Sequence, residues 1–172
     1  IITHSLLNVR GPGTHALRLP EYPLTYPTLD EALRPMSTSN KHSKERRTIA
    51  VVSTSRADYG HLFWVLRALQ EQADVDLRII ATAAHLAPGF GETIDQFKKD
   101  GFPVATAIEC LLDSDSDTGM AKTIGLAVLS LSDTLSQMRP DLLLLIADRY
   151  EMLAPASVAL ALRIPVAHIE GG

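Results

Sequence analysis

From Thr48 onward the 172-residue chain predicts a doubly wound α/β fold, a parallel sheet with helices on both faces. Two observations carry this expectation. Short apolar runs alternate with amphipathic segments through short loops, as strand–helix crossovers require. Runs such as Leu142-Leu-Leu-Leu-Ile146 are also uninterrupted, the pattern of a strand covered on both sides rather than one facing water.

Each element follows from its local pattern. Thr48–Ser53 is a β-branched run that predicts the first strand, followed by a helix near His61–Gln72 with Leu62, Val65, Leu66 and Leu69 on one face. Val75–Thr82 reads as strand two. The loop Ala83–Gly91, which contains His85, leads to a helix ending near Lys98–Gly101, where two lysines suit the negative end of the helix dipole and Gly101 suits a C-cap. Pro103–Ile108 predicts strand three. A long helix over about Asp117–Met138 places Met120, Ile124, Ala127, Val128, Leu131, Leu135 and Met138 on one stripe, and Pro140 stops it. Leu142–Ile146 is strand four, Tyr150–Arg163 a helix and Pro165–Ile169 strand five.

Charge locates a boundary. Residues 1–47 carry 7 Lys and Arg against 4 Asp and Glu, whereas residues 48–172 carry 9 against 16. The first segment holds 5 of the 10 prolines and has no helical or strand period, so it is expected to be a disordered or loosely attached, non-native extension to a domain over 48–172. Met36, in a polar leader before the first strand, is the expected natural start. The scattered basic residues lack aromatic interleaving and do not predict nucleic-acid binding. No apolar stretch reaches the roughly 20 residues that span a bilayer, and no secretory leader opens the chain, so no membrane partner and a cytoplasmic location are expected. The single Cys110 suits a reducing compartment and reads as a small buried residue. Gly171-Gly172 directly after the last strand suggests that the chain stops inside a domain.

Three polar motifs stand at strand ends: Ser53-Thr-Ser-Arg-Ala-Asp-Tyr-Gly60, Ala147-Asp-Arg-Tyr-Glu151 and His168-Ile-Glu-Gly-Gly172. In an open α/β sheet that edge is where ligands bind, because helix N-termini and loop side chains converge there. Several signals fail. No G-x-G-x-x-G follows strand one and no G-x-x-x-x-G-K-[ST] occurs, which argues against dinucleotide redox chemistry and P-loop phosphoryl transfer. His168-x-Glu170 resembles a zinc-deaminase element whose two-cysteine partner is impossible with one Cys. Asp113-Ser-Asp-Ser-Asp117 imitates a calcium loop, but Gly119 falls one place late and Ile124 stands where the bidentate Glu belongs. It reads instead as an acidic lead into a helix. Neither a metal nor a cofactor is therefore expected. Ser55-x-x-Asp58 and Asp148-x-x-Glu151 both double as capping boxes, and His168 and Glu170, two apart on an extended strand, would point to the same side. Capping does not explain why arginines and carboxylates gather beyond strands one, four and five together.

Taken together, Arg56-Ala-Asp-Tyr-Gly60, His85-Leu, Gly119-Met-Ala-Lys-x-Ile-Gly125, Arg139-Pro-Asp-Leu, Asp148-Arg-Tyr-Glu151 and His168-Ile-Glu-Gly-Gly172 resemble the N-terminal part of the hydrolysing UDP-N-acetylglucosamine 2-epimerases. The resemblance runs from about Arg47 to Gly172. It implies the first Rossmann-like half of a two-domain, glycosyltransferase-B-like fold, and conversion of UDP-N-acetylglucosamine and water to N-acetylmannosamine and UDP, at the head of sialic-acid synthesis. By motif match it implies Asp148 and Glu170 as the catalytic acid/base pair, with neither role assigned. Arg56 and Arg149 fall near the diphosphate, and His85 and His168 orient carboxylate or sugar. It further implies a UDP-sugar as partner, a homo-oligomer for the full-length protein, and no activity from half a cleft alone. The family usually has Gly where Ala147 stands, so the extra methyl is expected to weaken substrate binding if backbone must approach there. The alternative from another class is a flavodoxin- or receiver-like binding module with Asp148 as acceptor carboxylate.

Overall fold

The computed structural model describes residues 46–102 and 104–171. The expected extension, apart from Arg46 and Arg47, and the expected start at Met36 lie outside the described residues. The elements in order are β1 (Arg47–Ser53), α1 (Arg56–Gln70), β2 (Val75–Thr82), α2 (Ile94–Lys99), β3 (Val104–Ile108), α3 (Asp117–Met138), β4 (Leu142–Ile146), α4 (Leu153–Leu162) and β5 (Val166–Ile169). Single 3₁₀ turns at Ala83–His85, Pro88–Phe90 and Tyr150–Met152 shape the loops.

The five strands are parallel in the order β3-β2-β1-β4-β5. The chain builds outward from β1 to β3, then returns to the other side of β1 for β4 and β5. The order therefore reverses between β1 and β4, and loops leaving those strands diverge to open a crevice. Burial explains the uninterrupted runs: Ala50–Val52, Ile79–Ala81 and Leu143–Ile146 are all buried, as side chains on both faces of a covered sheet must be. On the α1 side, Tyr59 and Phe63 pack with Phe97 of α2 and with Phe102, and the Arg67 guanidinium lies 4.6 Å from the Phe102 ring centroid. α3 and α4 pack on each other.

α1 begins at Arg56, five residues before the position expected from periodicity, because a capping box starts it: Ser55 Oγ accepts from Asp58 N–H, and Asp58 returns a bond to the Ser55 N–H. α3 has the expected bounds and a Ser116 cap on Gly119 N–H at 3.0 Å. Its fully buried line is Gly119, Thr123, Ala127, Leu131 and Leu135, with Met120, Ile124, Val128 and Met138 half-buried beside it. The stripe is thus rotated toward small and polar residues, since α3 packs against both α4 and the turn over Tyr150–Met152. The expected helix over Tyr150–Arg163 divides into that 3₁₀ turn and α4.

Candidate active site

The crevice edge is assembled from three strand ends. β1 runs into Ser53 and Thr54, both fully buried, and then into the capped start of α1. Asp58 is consumed here: its Oδ2 accepts from Thr54 N–H (2.9 Å), Thr54 Oγ1 (2.6 Å) and Ser55 N–H (3.0 Å). Three donors on one buried oxygen fix the β1–α1 turn, which presents Arg56 outward at the positive end of α1. Arg56, Ala57, Gly60 and His61 line an open depression of about 440 Å³ there.

β4 runs into a turn with strained backbone. Ala147 has φ +59°, in the left-handed region that L-residues avoid. Its N–H donates to Ile169 O at 3.0 Å, and its carbonyl accepts from His168 Nε2 at 2.7 Å, so two bonds to β5 hold the unfavourable conformation. The twist throws Asp148 into solvent. The expected Asp148–Glu151 capping box does not form. Arg149 occupies the cap position of the turn but does not cap it with its side chain, and Glu151, 2% exposed, accepts from Arg149 Nη2 at 2.8 Å. That bond raises the already high Arg149 pKa, aided by the charges of Glu151 and Asp58, and keeps the guanidinium cationic. Burial, then the Glu151 charge, pushes the Tyr150 hydroxyl pKa upward.

β5 ends at Ile169, and Glu170 has φ +57°. His168 and Glu170 therefore do not share a side as an extended strand would require. His168 turns back to the Ala147 carbonyl, while Glu170 points toward α1, its Oε1 3.7 Å from His61 Nδ1. Gly171 is needed beside the ring, because a Cβ there would overlap His168 Nδ1.

His85 is not the loop residue its position suggests. It is fully buried in the turn after β2, with Nε2 2.8 Å from Ser53 Oγ and Nδ1 2.7 Å from Thr93 Oγ1. Desolvation pulls its pKa down to about 4, partly opposed by the Asp58 charge, so the ring is neutral near pH 7 and links β1 to the loop after β2. With both nitrogens occupied and no exposed surface, it lies beneath the crevice edge.

The structure thus gathers Arg56, Asp148, Arg149, His168 and Glu170 at one edge and places His85 below it. Sequence reasoning missed His61, which faces Glu170, and the pairing of Glu151 with Arg149. The signal for the pair was Arg149-x-Glu151 followed by the apolar run from Met152. A second depression, about 380 Å³ and lined by Leu86, Pro88, Phe90, Cys110 and Leu111, lies beyond β2 and β3. Its charged lining residues are Glu109 and Asp113, with no cation to meet a phosphate. Among the described residues no cluster of three potential metal ligands occurs, and no helix is long and apolar enough to cross a membrane.

The family model described as UDP-N-acetylglucosamine 2-epimerase matches residues 67–172. The chain belongs to this family. The GDP/UDP-N,N'-diacetylbacillosamine 2-epimerase (hydrolyzing) of Campylobacter jejuni is 39% identical over 127 residues, 74% of this chain and 33% of that protein. The UDP-N,N'-diacetylbacillosamine 2-epimerase (hydrolyzing) of Legionella pneumophila is 40% identical over 73% of this chain and 33% of its own length. The UDP-N-acetylglucosamine 2-epimerase of Neisseria meningitidis is 28% identical over 73% of this chain and 33% of its own. Among solved structures, the N. meningitidis UDP-GlcNAc 2-epimerase bound to UDP-GlcNAc superposes with TM-score 0.62 at 23% identity, over 73% of this chain and 32% of that one. The chain spans about a third of the length of the curated relatives it matches. The α/β architecture expected from periodicity is that of these epimerases.

Proposed function

We propose that the whole protein is a hydrolysing 2-epimerase of a UDP-linked 2-acetamido sugar, with UDP-N-acetylglucosamine and water going to N-acetylmannosamine and UDP as the founding reading. The carrying observation is the convergence of two arginines and two solvent-facing carboxylates at the β1/β4/β5 edge of a chain of this family. Removal of the carbon-2 proton as the UDP oxygen leaves carbon 1 gives a glycal. Addition of water across its double bond from the other face then yields the 2-epimer. The weakly acidic proton needs a placed base and the returning proton a donor, roles for Asp148 and Glu170. Arg56, at the positive end of α1, and the charged Arg149 would stabilise the departing diphosphate. His168 holds the Ala147 carbonyl and thereby the backbone that carries Asp148.

Turnover belongs to the full-length protein, since half a cleft cannot enclose the sugar; β1 opens its first Rossmann-like domain at Arg47, and the segment before that strand is an extension outside the domain. A cytoplasmic homo-oligomer serving sialic-acid-type sugar synthesis is the corresponding biological setting. A doubly acetamido substrate is the second reading: relatives named for N,N'-diacetylbacillosamine are 39% and 40% identical, against 28% for the N-acetylglucosamine enzyme. The test is to assay full-length protein on both UDP-sugars in D₂O. Product carrying deuterium at carbon 2 is expected, and Asp148→Asn and Glu170→Gln should each lower turnover by about 10²-fold or more. Product without deuterium, or near-normal rates in both variants, would reject the mechanism.

A further inference from the structure

The buried Glu151 is not among the groups the reaction requires, yet it is an ionisable side chain at the crevice edge. Only 2% of it is exposed, and it spends one oxygen on Arg149 at 2.8 Å. Its Oε2 is buried without a hydrogen-bond partner among the described residues. A carboxylate held this way is costly unless it is paired, and its pairing is with a side chain 40% exposed toward the edge. The bond engages a single guanidinium nitrogen. The remaining donors of the fork stay available, and rotation about the long side chain is restrained from below. Asp58, coupled electrostatically to Arg149 from the β1 side, spends its Oδ2 on Thr54 and Ser55, and the hydrogen bond that holds the fork is the one to Glu151.

We infer that Glu151 is a positioning residue that acts through Arg149, aiming its free N–H groups at the leaving diphosphate of the nucleotide sugar. This rests on the reading that Arg149 meets that diphosphate. Glu151 touches no reacting atom. It removes the rotational freedom that Arg149 would otherwise lose in the transition state, so its effect falls on turnover more than on substrate binding.

The experiment is a double-mutant cycle in full-length protein, with kcat and KM for the UDP-sugar and Kd for UDP measured in wild type, Glu151→Gln, Arg149→Met and the double variant. Arg149→Met leaves the Glu151 charge buried and is the variant most prone to misfolding, whereas the double variant buries no charge and keeps the cycle interpretable through Glu151→Gln. Each single change is expected to lower kcat about 10-fold or more, with KM moving less than about 3-fold for Glu151→Gln. The double variant should lie within about 3-fold of the worse single one. Additive losses, or a Glu151→Gln loss that appears only in folding, overturn the inference. Wild type that binds UDP but turns over no 2-acetamido UDP-sugar overturns the functional reading, and the same cycle on UDP affinity then decides the Glu151 coupling. Failure of wild type to bind UDP overturns both.

Discussion

Ala147 offers a test of the backbone at the end of β4. At φ +59° an L-residue carries about 1–2 kcal/mol of strain that glycine does not. Replacing Ala147 by Gly removes that strain, but glycine's freer unfolded chain takes back about 0.4–1 kcal/mol. The half-buried methyl takes back up to about 0.4 kcal/mol more. The net expectation for Ala147→Gly is about 0.6 kcal/mol of added stability, the middle of a range from about −0.4 to about +1.6 kcal/mol. Ala147→Val places a β-branched side chain in the same region and is expected to lose about 1–3 kcal/mol. Urea unfolding followed by far-UV circular dichroism measures both. The order Gly, Ala, Val from most to least stable supports the left-handed turn. Were Ala147 extended like Ile146, glycine would instead cost about 0.5–1 kcal/mol and valine would be tolerated, so the reverse order would refute the reasoning. A second readout separates conformation from substrate approach. Both backbone polar groups of Ala147 are engaged by β5, so Ala147→Gly in full-length protein should leave KM within about 2-fold.

Three further outcomes follow from the same geometry. Asp58→Ala leaves buried Thr54 and Ser55 donors unpaired and should cost about 2–3 kcal/mol, with Asp58→Asn losing less; an Ala variant within about 0.5 kcal/mol of wild type in urea would remove the capping account. His85 binds its proton near pH 4 when folded and near its ordinary 6.5 when unfolded, so between those values the unfolded state holds more protons. Stability is therefore fully present above about pH 6.5 and is lost as pH falls toward 4, by on the order of 3 kcal/mol. The slope should shrink in His85→Gln, and an unchanged slope would contradict it. Gly171→Ala must displace the His168 ring, so the hydrogen bond from Nε2–H to the Ala147 carbonyl, read by NMR in the parent protein as a slowly exchanging ring proton, is expected to be lost. Its retention would show that the ring and the loop have room.

The sequence by itself determined the order and type of the strands and main helices, because covered parallel strands need continuous apolar runs such as Leu142–Ile146, and α3 needs a helical period sustained over its 22 residues until Pro140 stops it. It also brought Arg56, Asp148, Arg149, His168 and Glu170 into view, since polar residues directly after buried strands have no core to join. Only the tertiary structure decided how those residues face one another. Left-handed backbone at Ala147 is held by bonds between strand ends, one of them to His168 21 residues away, which no local propensity encodes, and the left-handed Glu170 separates that residue from His168 where strand alternation would unite them. Burial likewise turned His85 into a neutral strut between two hydroxyls and Glu151 into the anchor of Arg149, because whether a polar side chain meets water or a partner is settled by the elements packed over it.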